Sequence, residues 1–238
     1  MKFARAYNNP TGWPSRAGGS GYMGISIGSR NHTGGCLLQT VNWVNDISGF
    51  NKIRIGLSDT LNRFTIMTDK VLSEGEARQE CIAQGDVWLK DNRSVIERLK
   101  IPHEIIRWDY WESTRPDAVV KNRQCYKRAF FENPVFREAV LTDMDNFSMR
   151  RYGIPLSKID MSTGQKFLDY LIEELAVYEE IYRDYPNTTI YPGKQLECAR
   201  VLREGLLPGL SETFQHTKFE RLRVSNDIIA SQSTRKIA

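Results

Sequence analysis

The sequence predicts an α/β protein in which a parallel sheet is flanked by helices. Short apolar runs bounded by turn residues alternate along the chain with longer segments of helical spacing. That alternation is typical of parallel strands, which need a crossover connection between them. The 238 residues include 40% hydrophobic and 26% charged residues, enough to bury a sizeable core without staples. We therefore expect one domain over 1–238.

The first half of the chain is predicted to hold three strands and two helices. Residues 1–18, rich in Asn, Pro, Gly and Ser, predict an irregular arm. Strands are expected at 22–27, 52–57 and 104–108, a turn at 28–31, and a loop at 60–69. Thr33 can cap a helix that runs through Ile47. Ser73 begins a long helix, since Glu76 follows it at the spacing of a capping box.

The second half is predicted to continue the same alternation. Helices are expected at 117–130 and 135–150, separated by Pro134, and at 163–182 and 194–203. Strands are expected at 188–191 and 219–224. Residues 225–238 predict a loosely ordered tail.

Composition and cysteine spacing exclude several classes of protein. The four cysteines form no CxxC pair, and the three histidines show no metal-ligand spacing, so we expect no metal site. Cys36, Cys81 and Cys198 lie in apolar helical stretches, which predicts buried thiols. Without a signal peptide or a long apolar run, the chain is expected to be cytoplasmic and free of membranes. A net charge of +4 permits an anionic partner without requiring one.

Ser26 stands between two glycines at the carboxyl end of the first predicted strand. Gly24 and Gly28 remove side-chain bulk, so a ligand can approach the hydroxyl closely. In open α/β sheets, ligands bind at this edge. The segment also matches the GxSxG elbow of serine hydrolases, although only one strand precedes it here. The other interpretation of this segment is structural: small residues are common at tight strand–helix turns.

The helix predicted at 163–182 carries one carboxylate on its core-facing stripe. Glu174 shares that stripe with Tyr170 one turn earlier, so both side chains can converge on one ligand. A carboxylate that faces the core needs a partner, and a ligand ammonium or a core arginine would satisfy it. The other acids of the helix are off the stripe and mostly look solvated; they are Asp169, Glu173, Glu179 and Glu180. Tyr191, followed by Pro192, ends the next strand at the same edge as Ser26.

Ser26, the Tyr170–Glu174 pair and Tyr191-Pro192 occur in an order and spacing that resemble the tRNA-dependent cyclodipeptide synthases. The resemblance covers roughly residues 20–224. It implies a Rossmann-like fold similar to the catalytic domain of class I aminoacyl-tRNA synthetases. It also implies the use of two aminoacyl-tRNAs per turnover to form a cyclic dipeptide, a diketopiperazine, by a ping-pong reaction. No metal, ATP or other cofactor is implied, and the chain is expected to be monomeric.

The resemblance also implies a role for each matching residue. Ser26 matches the acylated nucleophile, Tyr170 and Glu174 match the pair that holds the aminoacyl amine, and Tyr191 completes the site. The family has a branch with Asn after the nucleophile and Tyr-His at the later motif, and a branch with Tyr-Pro. Ser29 stands at the first of these positions and Pro192 at the second, so the chain looks like the Tyr-Pro branch.

The resemblance further implies an amino-acid pocket and a tRNA-binding surface. The pocket positions are Tyr22, Gly24, Ser29, Gly56, Trp111, Val177 and Thr189, of which Tyr22 and Thr189 make the pocket polar and less roomy. The candidate tRNA-binding residues are Lys90, Arg93, Arg98, Lys100, Lys121, Arg123, Lys127 and Arg128. Basic residues near a helix C-terminus also suit the helix dipole, which is the structural alternative for this set.

Three other functions remain open at this stage. A fragment of an aminoacyl-tRNA synthetase would need nucleotide-binding motifs, and His32-Thr33-Gly34-Gly35 matches them poorly. A serine esterase would need a histidine base, either His103 or His216. The third is a noncatalytic tRNA- or nucleotide-binding module of Rossmann type. Such a module would not require Ser26, Tyr170 and Glu174 together.

Overall fold

A computed structural model describes residues 5–7, 19–184, 188–207, 209–210 and 212–224. The strands within these ranges are β1 (Arg5–Tyr7), β2 (Ser20–Ile25), β3 (Lys52–Leu57), β4 (His103–Arg107), β5 (Thr188–Tyr191) and β6 (Lys218–Arg223). The α-helices are α1 (Gly34–Asp46), α2 (Arg63–Asp69), α3 (Glu74–Ile96), α4 (Trp108–Thr114), α5 (Pro116–Glu132), α6 (Pro134–Tyr152), α7 (Met161–Asp184), α8 (Glu197–Arg203) and α9 (Glu212–Gln215). Single 3-10 turns lie at Arg30–His32, Thr60–Asn62 and Leu156–Lys158.

The described strands form one sheet in the order β1-β6-β5-β2-β3-β4. Every neighbouring pair is parallel except β1 with β6, which is antiparallel. The chain moves from β2 outward through β3 to β4, and later returns to the other side of β2 with β5 and β6. Strand order therefore reverses between β2 and β5, and a crevice opens there at the carboxyl ends of the strands.

Two hydrophobic cores cover the two faces of this sheet. Alternate residues of β2 point to opposite sides, so Tyr22 joins one core and Met23 the other. The core on the Met23 side is closed by α1 and α3. The core on the Tyr22 side is larger and is built mainly from helices α4 to α9. The predicted parallel sheet between two helical layers is confirmed.

Most predicted elements are confirmed within one to three residues of their ends. Strands 52–57 and 188–191 have the predicted bounds. The capping box is present, because Ser73 accepts a hydrogen bond from the Glu76 amide and the Glu76 carboxylate accepts one from the Ser73 amide. Thr33 lies at the N-cap of α1, but its hydroxyl is bound to the Arg30 carbonyl and caps no helical amide.

Two regions differ from the predictions. Residues 60–69 form a 3-10 turn and then α2, where a loop was expected. The cause is tertiary: Arg63 in the first turn of α2 is 2% exposed and bound to acids of other helices. Within the predicted arm 1–18, residues 5–7 form β1, and the rest of the arm and the tail 225–238 lie outside the described residues. Cys36, Cys81 and Cys198 are buried, as predicted.

No helix in the described part of the chain is long and apolar enough to cross a membrane.

Candidate active site

A cavity of about 370 Å³ opens at the point where the strand order reverses. All four residues predicted to be catalytic, Ser26, Tyr170, Glu174 and Tyr191, are among its lining residues. Ser26 follows the last residue of β2, and Tyr191 is the last residue of the neighbouring strand β5. The topology therefore brings a serine, two phenols and a carboxylate from distant parts of the sequence to one space.

The loop after β2 is held by a buried histidine. The Ser26 backbone N–H donates to His32 Nδ1 at 2.7 Å, and Trp88 Nε1 donates to the His32 carbonyl at 3.1 Å. The His32 ring is fully buried and packs edge-on against the ring of Tyr191, with centroids 5.0 Å apart. Burial lowers the pKa of His32 to about 4, so the ring is neutral and Nδ1 can accept. This histidine fixes the backbone on which the Ser26 hydroxyl is mounted.

The end of β5 is tied to the same loop. Asn31 Nδ2 donates to the Pro192 carbonyl at 2.8 Å, across the reversal point. The ring of Tyr191 packs against both His32 and Phe219 of β6. Pro192 is buried and ends the strand, as its missing amide requires. The two sides of the crevice are thereby fixed relative to each other.

Helix α7 forms one wall of the cavity with the predicted stripe. Tyr170, Glu174 and Tyr178 follow one another at four-residue spacing, and all line the cavity. Phe147 of α6 stacks on Tyr170 with a centroid distance of 6.2 Å. The prediction that Tyr170 and Glu174 share a face toward one site is met by this geometry, and their roles stay predictions.

Glu174 is the carboxylate whose surroundings most resemble a ligand site. Burial and, less strongly, nearby Asp143 raise its pKa and Arg150 lowers it, with a net pKa of about 8. No hydrogen-bonding partner for it occurs among the residues the structure describes. Burial also raises the pKa of Tyr191 to about 12 and that of Tyr170 well above its ordinary value, so both phenols keep their protons. An ammonium group from a ligand would stabilise the ionised carboxylate.

The expectation that the other acids of this helix are solvated is wrong for three of them. Glu173, Glu179 and Glu180 are 1%, 8% and 0% exposed. Each is paired: Glu173 with Arg63 and Arg123, Glu179 with Tyr126 and Thr213, and Glu180 with Arg115, Asn122 and Arg183. The face of α7 that carries these three acids therefore packs against α4, α5 and α9, whereas the sequence pattern predicted that it is exposed to solvent.

The residues predicted for the amino-acid pocket divide into two groups. Ser29 and Thr189 line the cavity. The other five positions, Tyr22, Gly24, Gly56, Trp111 and Val177, are not among its lining residues in the described structure.

In the second group, two tyrosine hydroxyls occupy the space beside Gly24 and Gly56. A Cβ at Gly56 would lie 1.6 Å from the Tyr22 hydroxyl, and a Cβ at Gly24 would lie 2.9 Å from the Tyr178 hydroxyl. The space that the glycines leave is therefore filled by tyrosine. The cavity extends instead toward Thr189, Tyr182 and Arg203.

The predicted basic residues also divide by their surroundings. Arg123 is bound to Glu112 and Glu173 in the helical layer, which gives it a structural role. Arg93, Lys100 and Lys127 each form an ion pair with a nearby acid, namely Glu97, Asp46 and Asp169. Lys90, Arg98, Lys121 and Arg128 are exposed, and no ion pair to another described residue engages them.

Several lining residues were not predicted from the sequence. Two of them, Asp143 and the exposed Arg150, lie on α6. The sequence pattern of α6 is that of an ordinary surface helix. Asp143 accepts from the Glu197 and Cys198 amides, both at 2.9 Å, and so holds the start of α8. Arg203 on α8 reaches the buried end. Only their tertiary neighbours distinguish these residues, and one sequence carries no signal of them.

No histidine is hydrogen-bonded to the Ser26 hydroxyl in the described part of the chain. His32 contacts the Ser26 backbone, and His103 is exposed on β4 and faces its own loop. The described residues also contain no group of three or more His, Cys, Asp or Glu side chains that could hold a metal ion. The site thus combines a serine on a fixed backbone, several phenol donors and a carboxylate without a hydrogen-bonding partner among the described residues.

No protein-family model and no curated protein sequence match this chain. Solved structures do match it. A CDPS from Fluoribacter dumoffii superposes with a TM-score of 0.81 at 24% sequence identity, covering 94% of this chain and 98% of that one.

Two further structures show the same similarity at lower identity. A cyclodipeptide synthase from Candidatus Glomeribacter gigasporarum, bound to Phe-tRNAPhe, has a TM-score of 0.66 and 19% identity over 87% of both chains. A Mycobacterium tuberculosis protein, described as showing that cyclodipeptide synthetases are related to type I tRNA synthetases, has a TM-score of 0.64 and 13% identity over 87% of both chains. The chain therefore has the fold of the cyclodipeptide synthases, and the predicted likeness to class I tRNA synthetases is confirmed.

Proposed function

We propose that this chain is a tRNA-dependent cyclodipeptide synthase of the Tyr-Pro branch. The observation that carries the proposal is the cavity at the reversal point, where Ser26, Tyr170, Glu174 and Tyr191 converge within a cyclodipeptide synthase fold. The neighbour bound to Phe-tRNAPhe supports aminoacyl-tRNA as the class of substrate.

The first step is acylation of Ser26. Its hydroxyl oxygen attacks the ester carbonyl carbon of one aminoacyl-tRNA, the bond from that carbon to the ribose oxygen breaks, and the hydroxyl proton ends on the ribose. The ester is already activated, so positioning and polar stabilisation can supply most of the rate without a histidine base. Glu174 and Tyr170 hold the amine as an ammonium, and the Tyr191 hydroxyl completes the site by donating to the carbonyl oxygen as it gains charge.

The second step forms the peptide bond, and the third closes the ring. The amine of a second aminoacyl-tRNA attacks the Ser26 ester, which gives a dipeptidyl-tRNA and returns the proton to the serine oxygen. The free amine of the dipeptide then attacks the remaining ester to tRNA. Ring closure forms the second amide, breaks the bond from the carbonyl carbon to the ribose oxygen, and leaves the amine's proton on the ribose of the released tRNA.

An acyl-enzyme experiment tests this function. Purified protein incubated with a full set of aminoacyl-tRNAs is expected to gain the mass of an aminoacyl group at Ser26 and to release cyclic dipeptides. Ser26→Ala is expected to lose both while keeping its melting temperature. An adduct that persists in Ser26→Ala would overturn the assignment of the nucleophile.

A serine esterase is the second function that the Gly24–Gly28 motif allows. It would need a histidine base at the Ser26 hydroxyl, and the described histidines do not supply one. Hydrolysis of simple esters without any cyclic dipeptide would favour it.

A further inference from the structure

The buried end of the cavity carries a guanidinium group. Arg203, the last residue of α8, lines the cavity together with Tyr182, Thr189, Phe214 and Phe219. Tyr182, Thr189 and Phe214 are buried, in contrast to Arg150 and Lys194, which are exposed at the other end. Arg203 is itself half-buried and lies beside these buried side chains.

Every partner of this guanidinium in the described structure is neutral. Arg203 Nε donates to the Thr217 carbonyl at 2.9 Å, and the group lies over the Phe219 ring at 5.3 Å. It also hydrogen-bonds to the Tyr182 hydroxyl and faces the Gln195 side-chain amide. No carboxylate of a described residue is paired with it, and burial lowers its pKa. A half-buried cation without a counter-ion has lost part of its hydration, so a ligand carboxylate would stabilise it there.

The opposite charge stands in the same cavity. Glu174 lacks a cationic partner at hydrogen-bond distance, and it lies two turns before Tyr182 on α7. Side chains on a helix lean toward its N-terminus, so the Tyr182 phenol points back toward Glu174. The Tyr182 hydroxyl accordingly feels the charges of both Arg203 and Glu174. The cavity thus contains a carboxylate, Glu174, that can bind an ammonium group, and a guanidinium, Arg203, that can bind an anion. The Tyr182 phenol lies between the two.

We propose that the deep end of the cavity binds the side-chain carboxylate of an acidic amino acid, with Arg203 as the residue that selects it. This inference rests on the proposed function. One of the two aminoacyl groups is then glutamyl or aspartyl: its ammonium lies at Glu174 and its side-chain carboxylate at Arg203.

The experiment compares acidic substrates with their neutral isosteres. The purified protein receives a complete set of aminoacyl-tRNAs, and the cyclic dipeptides are identified by mass spectrometry. Glutamyl is expected to exceed glutaminyl, or aspartyl to exceed asparaginyl, by about tenfold or more, because a half-buried guanidinium without a counter-ion favours a charged partner over an uncharged one. Arg203→Met is expected to abolish that ratio, whereas Arg203→Lys keeps part of it.

A matched control is available on the same helix. Arg200 is exposed and paired with Glu197 and Glu204, so Arg200→Met is expected to leave the product ratio unchanged. If wild type incorporates only neutral residues, or if a folded Arg203→Met or Arg203→Lys variant changes rate without changing the ratio, the acidic subsite is overturned and the synthase function stands. If no aminoacyl-tRNA acylates Ser26 and no cyclic dipeptide forms, the proposed function fails together with it.

Discussion

At the scale of single residues, His32 is a buried side chain that contacts Ser26, the proposed nucleophile, through its backbone. Its Nδ1 accepts from the Ser26 amide, and its Nε2 has no partner in the described structure. A general base would need to face the Ser26 hydroxyl. We infer that His32 is a positioning residue, which sets the direction of the hydroxyl through the backbone.

His32→Phe is expected to slow acylation of Ser26 by about tenfold to 100-fold, because small displacements of a nucleophile are costly. It should also lower the free energy of unfolding by about 1–3 kcal/mol, since the Ser26 amide loses its acceptor. His32→Gln retains an acceptor and is expected to recover part of both. Single-turnover acylation and urea unfolding measure the two effects. Acylation at the wild-type rate in His32→Phe would contradict the positioning role.

Glu174 gives a prediction about pH. Its pKa is raised to about 8 in the folded protein from an ordinary 4.5, so folding favours the protonated form. Its contribution to stability is therefore fully present below pH 4.5 and is lost as the pH rises through 8. Glu174→Gln removes this loss. The variant's melting temperature relative to wild type is expected to rise between pH 5 and pH 8.

The same substitution is expected to reduce cyclic dipeptide formation by about 100-fold or more, because an amide cannot balance a buried ammonium. Thermal scans across pH and product assays at one pH separate the two effects. A variant with near-normal activity and collapsed stability would instead make Glu174 a structural residue.

At the scale of elements, helix α7 lines the cavity with one face and binds residues of the neighbouring helices with another. Arg63 of α2 and Arg123 of α5 both bind Glu173, and Trp108 Nε1 at the start of α4 donates to it at 3.1 Å. Arg63 and Glu173 are 2% and 1% exposed, so this pairing occurs away from water. Four helices meet at one carboxylate.

Glu173→Gln is expected to destabilise the protein by about 1.5–3 kcal/mol, because Arg63 and Arg123 lose their shared buried carboxylate and keep only Glu74 and Glu112. Glu97→Gln is the matched control: its pair with Arg93 is exposed on α3 and is expected to contribute about 0.5 kcal/mol or less. Urea unfolding of both variants measures the difference. Equal effects would mean that the cluster is wetter than its burial indicates.

This cluster also marks the limit of what the sequence could predict. Helical spacing found the stripe with Tyr170 and Glu174, because the distance along one helix is fixed by local geometry. Helical spacing predicted that Glu173 is solvent-exposed, because the partners of Glu173 come from helices far away in sequence. The prediction of a loop at 60–69 was wrong for the same reason, since Arg63 in α2 is bound to Glu173, which is distant in sequence. Strands such as 188–191 were predicted well because their apolar runs and the following proline are local signals.

At the scale of the whole molecule, the remaining question is how a tRNA would reach the cavity. The exposed predicted cations without ion pairs to described residues lie on two helices: Lys90 and Arg98 on or just after α3, and Lys121 and Arg128 on α5. Arg123, between the last two, is committed to Glu173 and Glu112, which weakens the positive field of α5. We therefore expect the α3 pair to contact tRNA phosphates.

Reversing Lys90 and Arg98 to Glu is expected to weaken the use of aminoacyl-tRNA and to make activity less sensitive to salt. Each lost phosphate contact should lower the log–log salt slope by about 0.7–0.9, because fewer counterions are released on binding. Lys121→Glu with Arg128→Glu is the matched control for net charge and is expected to leave the slope nearly unchanged. Acylation of Ser26 by a small activated aminoacyl ester should be the same in both double variants, since these side chains do not line the cavity. A slope that falls only in the α5 variant would place the tRNA on that helix instead.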